Sequence, residues 1–284
     1  MWSLLGYFSE DVRFNILDIG AALTEEPPYQ SLVDAGRASI IGFEPNVEEC
    51  ERLNRVYGKP HRFYPYFVGD GRPAVFHETN WRQTGSLFAP NAPLIEKFQN
   101  LAEVATLVAT HPVSTTRLDD LDDIADVDVV KIDVQGGELA VFQNALRILA
   151  RTLVIQTEVA FMAGYVGAPM FADVDIFLRG AGFLFHTFKS TGGLRLKPPT
   201  GNTDIDQSYA QWLWADAIYL RDWMKLEVLD ITKLQRYAVV AHDLLRAFDL
   251  AHLLLMELDK RAGSTLAARY LVRLNDEMDR PRKS

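Results

Sequence analysis

Val129-Val130-Lys131-Ile132-Asp133-Val134-Gln135-Gly136-Gly137-Glu138 reads as a buried β-strand carrying two charges, then a Gly-Gly turn, then a helix with an acid in its first turn. Alternation along a strand puts Lys131 and Asp133 on one side, able to reach one another near the strand's mouth. A buried charge without a partner costs on the order of several kcal/mol, so the two are expected to pair. Asp133 is then placed to orient a ligand ammonium, an acceptor hydroxyl or a metal. Lys131 can serve as a cationic anchor or, with its pKa depressed, as a base. The structural alternative is an ion pair that fixes the sheet, with Glu138 answering the helix dipole. Open parallel sheets bind ligands beyond the carboxyl ends of their strands, which favours the functional reading.

Working outward, short apolar runs alternate with helical patterns as far as about Asp222, the signature of parallel α/β units. Asn15 to Gly20 reads as the first strand and Pro27 to Gly36 as the helix after it. Ser39 to Glu44 is the second strand, followed by Pro45 and a helix from Val47 to Tyr57 that Gly58 ends. Arg62 to Val68 reads as a third strand, Ala74 to Thr79 as a small extra one, and about Ala92 to Val108 as a helix. The fourth strand, Val127 to Val134, leads into a helix from Gly137 to Ala150. Thr152 to Val159 is the fifth strand, Phe171 to Arg179 a helix, and Phe183 to Lys189 and Ala215 to Arg221 the last two strands. Between those two, Thr191 to Gly201 is rich in Gly and Pro and reads as a lid or hairpin tip.

The pattern changes near Trp223. Leu234, Tyr237, Ala241, Leu244 and Phe248 recur at helical spacing, and Leu250, Leu253, Leu254 and Leu258 continue the stripe. The expected organisation is an α/β domain over residues 1–222 and a helical C-terminal extension over 223–284. The extension must bury its apolar face on the core or in a homo-oligomer contact.

With 284 residues and 48% hydrophobic content, the chain can build a sizeable core. A net charge of -9 opposes a nucleic-acid backbone, so small or neutral partners are expected instead. The single cysteine, Cys50, excludes an intrachain disulfide and suits a reducing compartment. Met1 to Phe8 lacks the basic start of a signal peptide, and no apolar run approaches the roughly 20 residues of a membrane span. A cytoplasmic protein without a membrane span is the expectation.

Three strand ends present carboxylates: Asp18, Glu44 and Asp133. Glu44, ending the second strand, can accept hydrogen bonds from both hydroxyls of a ribose. Gly20 lets the backbone turn tightly beside a ligand. A dinucleotide site wants Gly-x-Gly-x-x-Gly after the first strand, but Gly20 is followed by Ala21, Ala22 and Leu23 and then by Glu25 and Glu26. Those acids would repel a pyrophosphate, whereas a sulfonium and an ammonium would suit the acidic setting. Taken singly, each acid could equally be a helix cap.

Four motifs in register carry a resemblance. Asp18-Ile19-Gly20-Ala21, Phe43-Glu44-Pro45-Asn46, Thr116-Arg117-Leu118-Asp119-Asp120-Leu121 and Lys131-Ile132-Asp133-Val134-Gln135-Gly136-Gly137-Glu138 resemble the FkbM-type S-adenosylmethionine-dependent methyltransferases, as does Ser86-Leu87. The resemblance runs from about Asn15 to Asp222. It implies a Rossmann-like class I methyltransferase fold, a seven-stranded, mostly parallel sheet with an antiparallel last strand. It also implies S-adenosylmethionine as cofactor, with Asp18 and Gly20 near the methionine part, Glu44 at the ribose, Asp70 near the adenine, and Ala21, Pro45 and Ser86 also in the cofactor site. Asp133, Lys131 and Glu158, the last at the end of the fifth strand, are the catalytic candidates. Two departures stand out: the second glycine and Asn that many relatives carry after the first motif are missing, and Gln135 replaces the usual Glu.

The reaction expected is O-methylation of a hydroxyl on a small molecule, sugar or glycan. A divalent metal beside Asp133 is compatible with it, although no ligand set is legible and none is expected. His77 and His186 are weaker candidates for the base. The rivals are an N-methyltransferase of a macromolecule, for which the Asn/Asp-Pro-Pro-Tyr motif is missing, and a catalytically silent cofactor-binding or assembly module.

Overall fold

In the computed structural model, which describes residues 2–23, 26–124, 126–198 and 210–279, ten strands form two sheets. In chain order they are Phe14–Ile19 (β1), Ala38–Phe43 (β2), Arg62–Tyr64 (β3), Phe67–Val68 (β4), Pro73–Thr79 (β5), Leu107–Thr116 (β6), Val129–Ile132 (β7), Val154–Ala160 (β8), Phe183–Gly192 (β9) and Trp214–Arg221 (β10). The main sheet has seven strands in the order β3-β2-β1-β7-β8-β10-β9. β2 with β3 and β7 with β8 are parallel, while β10 runs antiparallel to both its neighbours. This is the α/β sheet with an antiparallel last strand that the motifs led us to expect.

The helices are Gln30–Asp34 (α1), Val47–Tyr57 (α2), Ala92–Ile95 (α3), Leu101–Ala105 (α4), Glu138–Gln143 (α5), Leu146–Leu149 (α6), Phe171–Gly180 (α7), Ile231–Val239 (α8), Phe248–Ala262 (α9) and Leu266–Met278 (α10). α2 follows the sequence reading closely. The Asn46 side chain caps it by accepting the Glu49 N–H, Glu48 and Glu49 sit in its first turn, and Gly58 ends it.

Three segments differ from expectation. The third strand is broken at Pro65, which has no N–H to donate. Tyr64 stays with β2, while Phe67 and Val68 leave to pair with Thr115 and Thr116. The helix expected over Ala92 to Val108 is two short helices, and the chain from Leu107 is β6. The β-branched Val108, Thr110, Val113, Thr115 and Thr116 favour extended backbone there, and β5 supplies an antiparallel partner. The helix after Gly137 is interrupted between α5 and α6. Glu25 and the Pro199-Thr200-Gly201 part of the expected lid lie outside the described residues.

The chain forms two compact units. One comprises Leu17–Ala22 and Ile40–Arg221. Its core joins Leu17, Ile19, Phe43, Val130, Ile132, Phe142, Ile155, Leu178, Phe183 and Tyr219. Each such fully buried large side chain contributes roughly 1.5–3 kcal/mol. Arg221 at the end of β10 donates to the carbonyls of Leu149, Thr152 and Ala181 and lies over the Phe183 ring at 4.0 Å, so its buried charge is answered by fixed dipoles.

The other unit comprises Met1–Ile16, Leu23–Ser39 and Asp222–Ser284. In it, α9 packs on α8 and α10, burying Leu234, Tyr237, Ala241, Leu250, Leu254 and Leu258 of the expected stripe, while Leu253 is exposed. A π-helical turn, Val240–Leu244, joins α8 to the stretch before α9. Its Asp243 accepts from Ser3 Oγ at 2.5 Å and Leu4 N at 2.8 Å, tying down the N-terminal segment. No helix among the described residues is long and apolar enough to cross a membrane.

Candidate active site

β1 lies between β2 and β7, so the carboxyl ends of three neighbouring strands open at one mouth. The Gly20 and Ala21 N–H groups donate to Phe43 O at 2.9 and 3.0 Å, and the Asp133 N–H donates to Ile19 O at 3.0 Å. The three ends are thereby stitched together. Gly20 has φ +77, and a Cβ there would fall 2.0 Å from Asp133 O. Glycine is required by the closeness of the strands as well as by the turn.

Asp18, at 4% exposure, forms an ion pair with Lys131, Nζ to Oδ1 at 3.3 Å. The same ammonium donates to Gly20 O at 2.7 Å. Lys131 therefore reaches across to β1, and the expected pair with Asp133 is not formed. Gly20 O and Asp18 occupy the space where the Lys131 ammonium ends. Burial works against this charge, but Asp18 and Asp133 outweigh it and hold the Lys131 pKa above its ordinary value. Lys131 anchors the turn as a cation.

Glu44 is buried, and its Oε1 accepts the Asn46 N–H at 2.8 Å. No other hydrogen-bond donor among the described residues reaches this carboxylate. Burial raises its pKa, Asn46 N–H opposes the rise, and Glu49 adds to it. A buried carboxylate so sparsely supplied is a ready acceptor for a ligand's hydroxyls. Pro45 follows it and Asn46 caps α2. Arg82, which sequence reading passed over, lends Glu44 a favourable charge.

On the far side of Asp133, Gln135 Nε2 donates to Asp133 Oδ1 at 2.7 Å and to Glu158 Oε1 at 3.1 Å. Glu158 stands directly opposite Asp216 across β8 and β10. Burial, then Asp133, Glu138 and Asp216, push its pKa well above the carboxylate range. Gly136, Glu138, Glu158, Tyr165, Met170 and Val174 line a hollow of about 390 Å³, solvent at its mouth included.

Not every expected site residue converges here. Ser86 is buried and spends its hydroxyl on the Gly-Gly turn, donating to Gln135 O at 2.6 Å and accepting Phe88 N–H at 2.9 Å. Asp70 accepts from Arg72 N at 3.0 Å, and among the described residues no hydrogen bond or ion pair joins it to Asp18, Glu44 or Asp133. His77 sits on β5 of the small sheet and His186 is exposed on β9; neither lines the hollow. Among the described residues no group of three or more His, Cys, Asp or Glu side chains is arranged to hold a metal ion.

Glu138 is buried, with Oε1 accepting the Val134 N–H at 2.8 Å. Burial, only partly offset by backbone donors, raises its pKa to about 7. The folded chain thus holds this proton more tightly than the unfolded chain. The stability Glu138 contributes is full below its ordinary pKa of 4.5 and is lost as pH rises towards 7. At about 1.4 kcal/mol per pKa unit, the loss is on the order of 3 kcal/mol. Glu138→Gln keeps the oxygen that accepts from Val134 and removes the titration. Thermal melts from pH 4 to 8 should show the variant gaining on the wild-type protein as pH rises, and parallel curves would contradict the burial of this carboxyl.

Residues 18–185 match the family model described as the methyltransferase FkbM domain, well over half of the chain. Among solved structures, a candidate methyltransferase from Thermoplasma acidophilum aligns over 74% of this chain and 69% of its own, with a TM-score of 0.36 and 9% identity. No curated protein matches the chain significantly.

Proposed function

Because the chain belongs to the FkbM methyltransferase family, we propose that it transfers a methyl group from S-adenosylmethionine to a hydroxyl oxygen of a small molecule or glycan. The observation that carries this reading is the hydrogen-bonded meeting of the strand ends beside Asp18, Glu44 and Asp133, with Glu158 joined to Asp133 through Gln135 and lining a hollow. Six acids cluster there, Asp18, Glu44, Asp133, Glu138, Glu158 and Asp216, around Lys131. Such a field suits a ligand bearing a sulfonium and an ammonium and disfavours a pyrophosphate.

The bound donor supplies an electrophilic methyl group on positively charged sulfur. Asp18 and the Gly20-Ala21 turn hold its amino-acid end, while Glu44, with Pro45 fixing the chain behind it, takes the ribose hydroxyls. Asp70 is assigned to the adenine on the family resemblance alone. Asp133 faces the junction between donor and acceptor. Glu158 accepts the proton of the acceptor hydroxyl and later passes it to solvent. Burial and Glu158 keep the nearby Tyr165 hydroxyl protonated, so Tyr165 is a donor and not the base. Alignment of hydroxyl and methyl provides most of the acceleration.

Calorimetry with S-adenosylmethionine and its demethylated product tests the donor assignment, with saturable one-to-one binding expected. Turnover against panels of hydroxylated small molecules, glycans and amines tests the acceptor. Glu158→Gln should lower kcat on the best hydroxyl acceptor by about 100-fold or more. Absence of donor binding at millimolar concentration sinks the proposal, and turnover confined to amines replaces its acceptor half.

A further inference from the structure

Gln135 is held through both its backbone and its side-chain amide. Its backbone adopts φ +54, and its carbonyl is pinned by Ser86 Oγ. Its side-chain amide meets two acceptors and one donor. Nε2 points to the carboxylates of Asp133 and Glu158, while Oε1 lies 2.8 Å from the Tyr165 hydroxyl. A flipped amide would set its oxygen against both carboxylates, so the neighbours dictate one orientation. The Tyr165 hydroxyl is also 2.8 Å from Thr84 O, and its single proton serves one acceptor at a time.

We propose that Gln135 is a positioning residue whose one amide clamps the donor-side carboxylate of Asp133 to the acceptor-side carboxylate of Glu158, and so holds Glu158 where it receives the acceptor's proton. The inference deepens the proposed function and rests on its assignment of Glu158. Two like charges brought this close repel, and Asp216 opposite Glu158 and the nearby Glu138 add to the repulsion. Lys131 is spent on Asp18 and Gly20 O, so the site's own cation does not bridge them. The two N–H groups of Gln135 do, and the one that meets Glu158 favours its ionised form. The groups facing Glu158 are thus Lys131 from β7 and Asp133 just past its end, Glu138 from α5, Asp216 from β10, and the Gln135 amide with Tyr165 behind it.

The test follows the Glu158 carboxyl carbon by NMR in the full chain labelled with 13C-glutamate, its signal assigned by its loss in Glu158→Gln. Gln135→Leu removes the donor at nearly constant volume and leaves Tyr165 its bond to Thr84 O. Gln135→Glu keeps the shape and adds a third carboxylate. The Glu158 midpoint should move up by about one pH unit or more in Gln135→Leu and further in Gln135→Glu, with the exposed Glu48 unmoved in both. An unmoved Glu158 overturns the clamp, and this readout needs neither donor nor acceptor. In turnover, the acid limb of kcat/KM should move up with the NMR midpoint while donor affinity changes less than about threefold. A shifted midpoint with a stationary acid limb would leave the clamp standing and overturn Glu158 as the proton acceptor.

Discussion

Gly20→Ala is expected to lower the melting temperature by roughly 10 °C or more and to abolish donor binding. Two costs combine. At φ +77 an L-residue pays about 1–2 kcal/mol. The added Cβ then meets Asp133 O at 2.0 Å, a backbone atom that cannot swing aside as a side-chain tip would. Relief requires separating the ends of β1 and β7, which breaks the Asp133 N–H bond to Ile19 O and draws Gly20 O from the Lys131 ammonium. Together these approach 4 kcal/mol, and about 2–4 °C per kcal/mol gives the stated fall. Gly263→Ala is the control, since Gly263 has a similar φ, 65, with open space where its Cβ would go. Melts followed by circular dichroism should separate the two by several degrees. Equal losses would mean that only the dihedral matters and that the strand ends have room to spare.

What could be read in advance was what local rules govern. β1, β2, β7 and β8 are short, largely buried runs in which Val, Ile, Leu and Phe recur, and that enrichment marks them. α2 carries its own cap and stop. β6 escaped because its hydrophobic alternation is weak and much of it is exposed; its partner β5, some thirty residues away, decides its state. Pro65 was visible as a breaker, but that the chain would change sheets there depended on Thr115 and Thr116.

The site divides along the same line. The placement of Asp18, Glu44 and Asp133 at neighbouring strand ends was legible because strands are legible and a sheet opens at its carboxyl edge. Strand alternation placed Lys131 and Asp133 on one side, yet it says nothing of which neighbouring strand lies within reach, and Lys131 chose Asp18 on β1. Gln135 was noticed as a departure from the family pattern and undervalued, since an amide's worth depends on what surrounds it. Tyr165 carried no signal: it meets Gln135 from thirty residues away, on a segment held by Asn91 N to Gly164 O and Val166 N to Ala89 O.

Glu44→Ala should weaken S-adenosylmethionine binding by about 100-fold or more while leaving the fold nearly intact. A buried carboxylate accepting two ribose hydroxyls makes charge-assisted hydrogen bonds worth about 1.5–3 kcal/mol each. Losing both costs at least about 3 kcal/mol, which is the hundredfold in affinity. The protein itself loses little, because burial already disfavours this charge and only the Asn46 N–H is left without its acceptor. pH provides a second check. Glu44's pKa is raised in the free protein, so wild-type affinity should fall as pH drops through a value above the ordinary 4.5, and the variant's should lack that step. Calorimetry on a donor analogue without ribose hydroxyls should find the two proteins alike. If the variant bound that analogue as poorly as it binds the donor, the lost contact would lie elsewhere, and the carboxylate of Glu44 would be shaping the mouth and not holding the sugar.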